Sequence, residues 1–131
     1  VPLYRDAVTF ALAAAAIGAL ASSAHAQAAD PAKGKTLFMR CAICHAVEPG
    51  KNRLGPSLSG MFGRRAGTVP GFAYSPAMKA SKIVWDDKTV DAFIAKPMTA
   101  VPGTRMAFPG IANPADRANL IAYLRTTTKA K

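Results

Sequence analysis

Residues 41 to 45 read Cys41-Ala42-Ile43-Cys44-His45 and contain both cysteines of the chain. This spacing lets two thiols add to the two vinyl groups on one side of a haem, while the next residue sets an imidazole under the iron. Cys-x-x-Cys-His is therefore the attachment signature of c-type haem. A chain tethered twice to a rigid, flat cofactor has to fold around it. Other uses of a close cysteine pair fit less well. A thioredoxin-like redox pair belongs in a βαβ setting, whereas here a helical pattern precedes the pair and loops follow it. A structural zinc site needs four ligands, and the only other histidine, His25, lies in an N-terminal segment that reads as removable. A disulfide closing so small a loop contributes little by chain entropy. One haem c, bound through Cys41 and Cys44 with His45 on the iron, is the expected cofactor.

The chain of 131 residues suffices for one domain with one modest core, so a buried cofactor would form much of that core. Arg5, an apolar run from Ala7 to Ala21 and the small-x-small site Ala24-His25-Ala26 read as a signal peptide over residues 1–26. The run is short of the roughly 20 residues that span a bilayer. Cleavage is expected after Ala26, leaving one domain over 27–131 in the periplasm. Attachment of haem to thiols also requires an oxidising, extracytoplasmic compartment.

The rest of the chain predicts an all-α, loop-rich fold. Asp30-Pro31 caps a short helix that carries Gly34, Leu37, Phe38 and Cys41 on one face and ends at the cysteine pair. From Val47 to Tyr74 neither helical nor strand periodicity persists, and glycines and prolines punctuate the stretch. So long an irregular segment suggests loops wrapped on something rigid. A short helix follows Ser75-Pro76. Asp86 caps another from Asp87 to about Ala95, which Pro97 stops or redirects. Val101 to Gly110 reads as a loop, and Asn113-Pro114 opens the last helix, apolar at Leu120, Ile121, Tyr123 and Leu124.

His45 leaves one axial position to fill, and no second histidine follows residue 26. The candidates are Met39, Met61, Met78, Met98, Met106, a lysine, or none. Met39 is too near the cysteine pair to reach the other haem face. Met61 and Met78 suit gap-filling apolar packing. Met106 lies in the proline-braced loop Pro102-Gly103-Thr104-Arg105-Met106, far enough along the chain to come round, and spacing favours it without excluding the others.

From about Asp30 to Thr127 the sequence resembles class I cytochrome c, the mitochondrial type and its short bacterial periplasmic relatives. The resemblance rests on Lys33-Gly34-Lys35, Phe38, the Cys41–His45 motif, Gly55-Pro56-Ser57-Leu58, Phe62-Gly63-Arg64, Pro70-Gly71-Phe72-Ala73-Tyr74, Trp85, Pro102-Gly103-Thr104-Arg105-Met106 and Leu120-Ile121-Ala122-Tyr123-Leu124. It implies N- and C-terminal helices crossing at Gly34, with long loops around one haem. It implies His45 and Met106 as the iron pair, a soft thioether raising the potential. It implies that the Pro56 carbonyl fixes the His45 ring, and that Arg64, Tyr74, Trp85 and Thr104 meet a haem propionate, offsetting the burial of its charge. Met78 and Phe93 depart from the family, which usually has Asn and Tyr there. The distal pocket should then be less hydrogen-bonded, and Met78 becomes an alternative ligand in a disturbed state.

The formal net charge is +10, spread along the chain. On charge alone nucleic acid, anionic lipid and acidic protein surfaces all qualify as partners. With the resemblance, the expectation narrows to acidic faces of redox proteins and excludes nucleic acid. Arg40, Lys51, Arg53, Lys96 and Arg105 would form a basic ring at the haem edge, although Met98 and Thr99 stand where the family has lysines. With both axial sites filled by protein, substrate has no route to the metal. The expected role is thus a diffusible, monomeric one-electron carrier and not an enzyme. It would run from a quinol–cytochrome c reductase to an oxidase or photosynthetic reaction centre, or serve a periplasmic dehydrogenase. A haem enzyme or gas sensor with an open iron site is the rival.

Overall fold

The computed structural model describes residues 27–130, so the signal peptide expected over 1–26 lies outside the described residues. Five helices follow in order: α1 (Pro31–Phe38), α2 (Pro76–Ala80), α3 (Asp87–Ala95), α4 (Pro97–Ala100) and α5 (Pro114–Thr127). Among the described residues the only β pairing is an isolated antiparallel bridge between Arg65 and Val84. The chain is all-α, as expected from its patterning.

Local chemistry sets the helix starts. The Asp30 side chain accepts the N–H groups of Ala32 and Lys33, with Pro31 at the first helical position. Asn113 and Pro114 repeat the device on α5. On α3 the Asp86 carboxylate accepts the Thr89 N–H while the Thr89 hydroxyl accepts the Asp86 N–H, a reciprocal capping box. One expected boundary shifts, and one short helix is additional. α1 stops at Phe38, and the chain reaches the cysteine pair through tight turns, Cys41 N–H donating to Phe38 O and His45 N–H to Cys41 O. Pro97 both follows the end of α3 and opens α4, because a proline lacking an N–H suits a first helical turn.

The terminal helices cross tightly. A Cβ on Gly34 would lie 2.7 Å from the Tyr123 Cβ, so only glycine permits this approach. Asp30 N–H donates to Asn119 Oδ1 at 2.7 Å, and the Phe38 and Tyr123 rings meet at 5.3 Å. Asp91 and Asp87 of α3 pair with Arg117 and Arg125 of α5, each at 2.7 Å. Between these helices the chain from Val47 to Tyr74 runs without a helix, pinned by bonds such as Ser57 Oγ to Glu48 O and Gly60 N to Thr128 O.

Apolar side chains form two clusters. One joins Phe38, Met61, Val90, Ile94, Ile111, Leu120, Ile121 and Leu124, with Cys41 and Ala42 against it. The other joins Ala66, Met78, Phe93 and Val101, with Tyr74, Trp85 and Met106 against it. A fold of this size ordinarily closes over one core; here a cavity takes side chains from both clusters.

Candidate haem site

The cavity measures about 740 Å³ and its wall is mostly apolar, within the range of cofactor sites, roughly 300–1,000 Å³. Cys41, Cys44 and His45 line it together because the turn after α1 brings them to one wall. The two thiols are half-buried and not joined to each other. Burial pushes the Cys41 thiol up to about 11, with Arg40 opposing and Cys44 adding to the shift.

The His45 ring is fixed from behind. Its Nδ1–H donates to the Pro56 carbonyl at 2.8 Å, which settles the tautomer and leaves the Nε2 lone pair for a metal. A Cβ on Gly55 would lie 2.7 Å from Nδ1 and 2.8 Å from Nε2, so the backbone presses directly on the imidazole. Burial holds the ring below its ordinary pKa, the bond to Pro56 opposing. A neutral imidazole is the form that binds iron. Gly55 was quoted in the sequence only as part of a motif; its packing role emerges from contact with a residue ten positions away.

The five methionines now separate. Met39 and Met98 are exposed, at 66% and 56%, and neither lines the cavity. Met61, Met78 and Met106 do line it. Met61 belongs to the cluster that packs Cys41, whereas Met78 and Met106 belong to the other.

The four residues expected near a propionate, Arg64, Tyr74, Trp85 and Thr104, all border the cavity. Arg64 donates through Nη1 to Ser59 O at 2.6 Å and through Nη2 to Ser57 O at 3.1 Å. No carboxylate pairs with it among the described residues, and burial lowers its pKa. The Tyr74 hydroxyl accepts the Val69 N–H and the Thr104 hydroxyl accepts the Met106 N–H; each keeps its own hydrogen to donate. A half-buried guanidinium without a carboxylate partner, on a wall that also carries two hydroxyl donors, suits an anionic edge of a cofactor. The Ser57 and Ser59 carbonyls that hold Arg64 carried no sequence signal, since any residue supplies a carbonyl.

Of the basic candidates, Arg40 and Arg105 stand at the cavity wall, both exposed. Arg40 lies over the Phe108 ring at 5.3 Å. Arg53 reaches the Ala42 carbonyl beside the cysteine pair at 2.9 Å. Lys51 is 3.6 Å from Glu48, and Lys96 sits between α3 and α4, away from the cavity wall. Ile43 and Leu54, 68% and 81% exposed, also line the cavity and make its mouth apolar, a feature not read from the sequence.

Two thiols and an oriented imidazole on one wall of an apolar, cofactor-sized cavity define a class I c-type cytochrome. The cytochrome c family matches residues 31–128, and the chain belongs to it. It is 51% identical over 98 residues to cytochrome c2 of Rhodoblastus acidophilus, covering 74% of this chain and 92% of the relative. It is 48% identical to cytochrome c of Euglena viridis, covering 74% and 96%. Cytochrome cH from Methylobacterium extorquens shares the fold with a TM-score of 0.69 and 42% identity, covering 74% of this chain and 98% of that one. One haem c is held covalently through Cys41 and Cys44, and the protein is a monohaem electron carrier rather than an enzyme.

Proposed function

We propose that His45 and Met106 are the two axial ligands and that the protein shuttles single electrons between membrane redox complexes in the periplasm. The observation that carries this reading is the placement of a metal-ready imidazole and Met106 on the wall of one cavity, with Cys41 packed against one half of the core and Met106 against the other. Haem iron supplies a one-electron couple when bound. The residues around it supply the rest. Pro56 holds the imidazole, the apolar wall excludes water, and Arg64, Tyr74, Trp85 and Thr104 receive the propionate charge. An imidazole fixed by the Pro56 carbonyl and pressed by the Gly55 backbone reorganises little on electron transfer. Cleavage after Ala26 and export fit this role, because thioether attachment belongs to an oxidising compartment; among the described residues no helix is long and apolar enough to cross a membrane.

Docking would use the cavity mouth, where exposed Ile43 and Leu54 neighbour Arg40 and Arg105. Cations steer encounter with an acidic face and act less as salt screens them. The reading is tested with the reduction rate by a quinol–cytochrome c reductase as ionic strength rises. The second-order rate should fall with salt, and Arg40→Glu and Arg105→Glu should each lower it several-fold at low salt while leaving the potential near wild type. A rate indifferent to salt and to both substitutions would contradict docking at this face.

A further inference from the structure

We propose that Met78 is a reserve axial ligand: when Met106 leaves the iron, the Met78 thioether takes its place. This rests on the reading of Met106 as the resident ligand. The first observation is the shortage of alternatives. His45 is the only histidine after residue 26. Among the described residues no lysine lines the cavity; its cations are Arg40, Arg64 and Arg105, and arginine does not deprotonate to become a donor. Tyr74, the remaining donor on the wall, is tied to the Val69 N–H near Arg64 in the propionate group of residues, which leaves a sulfur as the replacement from the protein. The exposed Met39 and Met98 are off the wall, and Met61 packs with the half of the core that holds Cys41. Met78 lines the same cavity and shares its cluster with Met106.

The second observation is the difference in anchoring. The Met78 backbone is held on both sides: its N–H donates to the buried Ser75 hydroxyl at 3.1 Å, and its carbonyl accepts the Ser81 hydroxyl at 2.9 Å. The side chain is 8% exposed, and a methionine keeps three rotatable bonds with which to adjust. Met106 lies outside any helix, its backbone held by local bonds to Thr104 and Phe108. Met106 is also only half-buried where Met78 is buried, and a less buried segment outside a helix opens at the lower free energy. When that segment opens, α2 keeps Met78 at the wall. In the exchange the bond from iron to Met106 Sδ breaks and one to Met78 Sδ forms, with no proton or electron transferred. The site stays closed, and the donor stays soft.

The test compares haem-loaded Met106→Ala, Met78→Leu and the double variant, Met78→Leu being chosen because it roughly conserves volume. Met106→Leu replaces Met106→Ala if the latter does not accumulate with haem attached. Ferric absorption reads spin state and the far-red sulfur-to-iron charge-transfer band; carbon monoxide uptake reads an open ferrous site. Met106→Ala should keep the band and a low-spin spectrum, as should Met78→Leu, and only the double variant should lose the band, turn high-spin and take up carbon monoxide. A high-spin, band-free Met106→Ala would overturn the reserve role while upholding Met106 as ligand. A band that survives in the double variant, or is lost in Met78→Leu alone, would overturn the Met106 reading itself.

Discussion

At the scale of single residues, the His45 imidazole is the most tightly placed group of the site, its Nδ1–H given to the Pro56 carbonyl and its ring pressed by the Gly55 backbone. Cys41, Cys44 and His45 are set by the reach of two vinyl groups and an iron, so five consecutive residues sufficed to read them from the sequence. Resemblance then implied Pro56, and its carbonyl does accept the His45 Nδ1–H. The apolar mouth at Ile43 and Leu54 had no such signature, because exposure of an apolar side chain is decided by packing elsewhere. Backbone conformation was equally hidden. Lys82, just beyond α2, has φ of 57°, the only non-glycine with positive φ among the described residues. A Cβ in this region is unfavourable by roughly 1–2 kcal/mol, partly offset by the freedom glycine gains on unfolding. Lys82→Gly should therefore stabilise the haem-loaded protein by about 0.5–1 kcal/mol in denaturant melts; an unchanged or lower midpoint would argue against strain there.

At the scale of elements, the starts of α1, α2, α3 and α5 were readable because a capping side chain or a proline marks each. The end of α3 near Ala95 was readable too, but the end of α1 and the four-residue α4 were not. Pro97 reads equally as a stop for one helix and a start for the next, and the extended backbone of Lys96 lets it be both. The α3 box carries a pH dependence. Hydrogen bonds from Thr89 hold the Asp86 carboxyl below the usual carboxylate range. A depressed folded-state pKa means stabilisation present above the unfolded pKa and lost as pH falls through the folded one. Asp86→Ala should lower the melting temperature at neutral pH, and the gap to wild type should narrow in acid, measured by thermal melts across pH. A gap that widens in acid would reverse the assigned sign.

At the scale of the whole molecule, the described acidic residues are largely committed to structure while many cations are not. Asp30 and Asp86 cap helices, Asp87 and Asp91 pair with α5, and Glu48 lies beside Lys51. The surplus positive charge therefore belongs to the surface, where it bears on association rather than fold. The shape of the interior follows from the cofactor: two apolar clusters with a cavity of about 740 Å³ drawing on both. The pattern of the sequence could announce loops around something rigid, and spacing could favour Met106, yet only the folded chain shows Met98 exposed and Met61 and Met78 on the cavity wall. If a thioether closes the side of the iron away from His45, as proposed, the iron has no vacant position and the protein is a carrier. The most direct test is the absorption spectrum of the purified, haem-loaded wild-type protein, with carbon monoxide added after reduction. A low-spin, six-coordinate ferric state with the far-red sulfur-to-iron band is expected, together with a ferrous spectrum that carbon monoxide leaves unchanged. A five-coordinate, high-spin resting state that takes up carbon monoxide readily would contradict it.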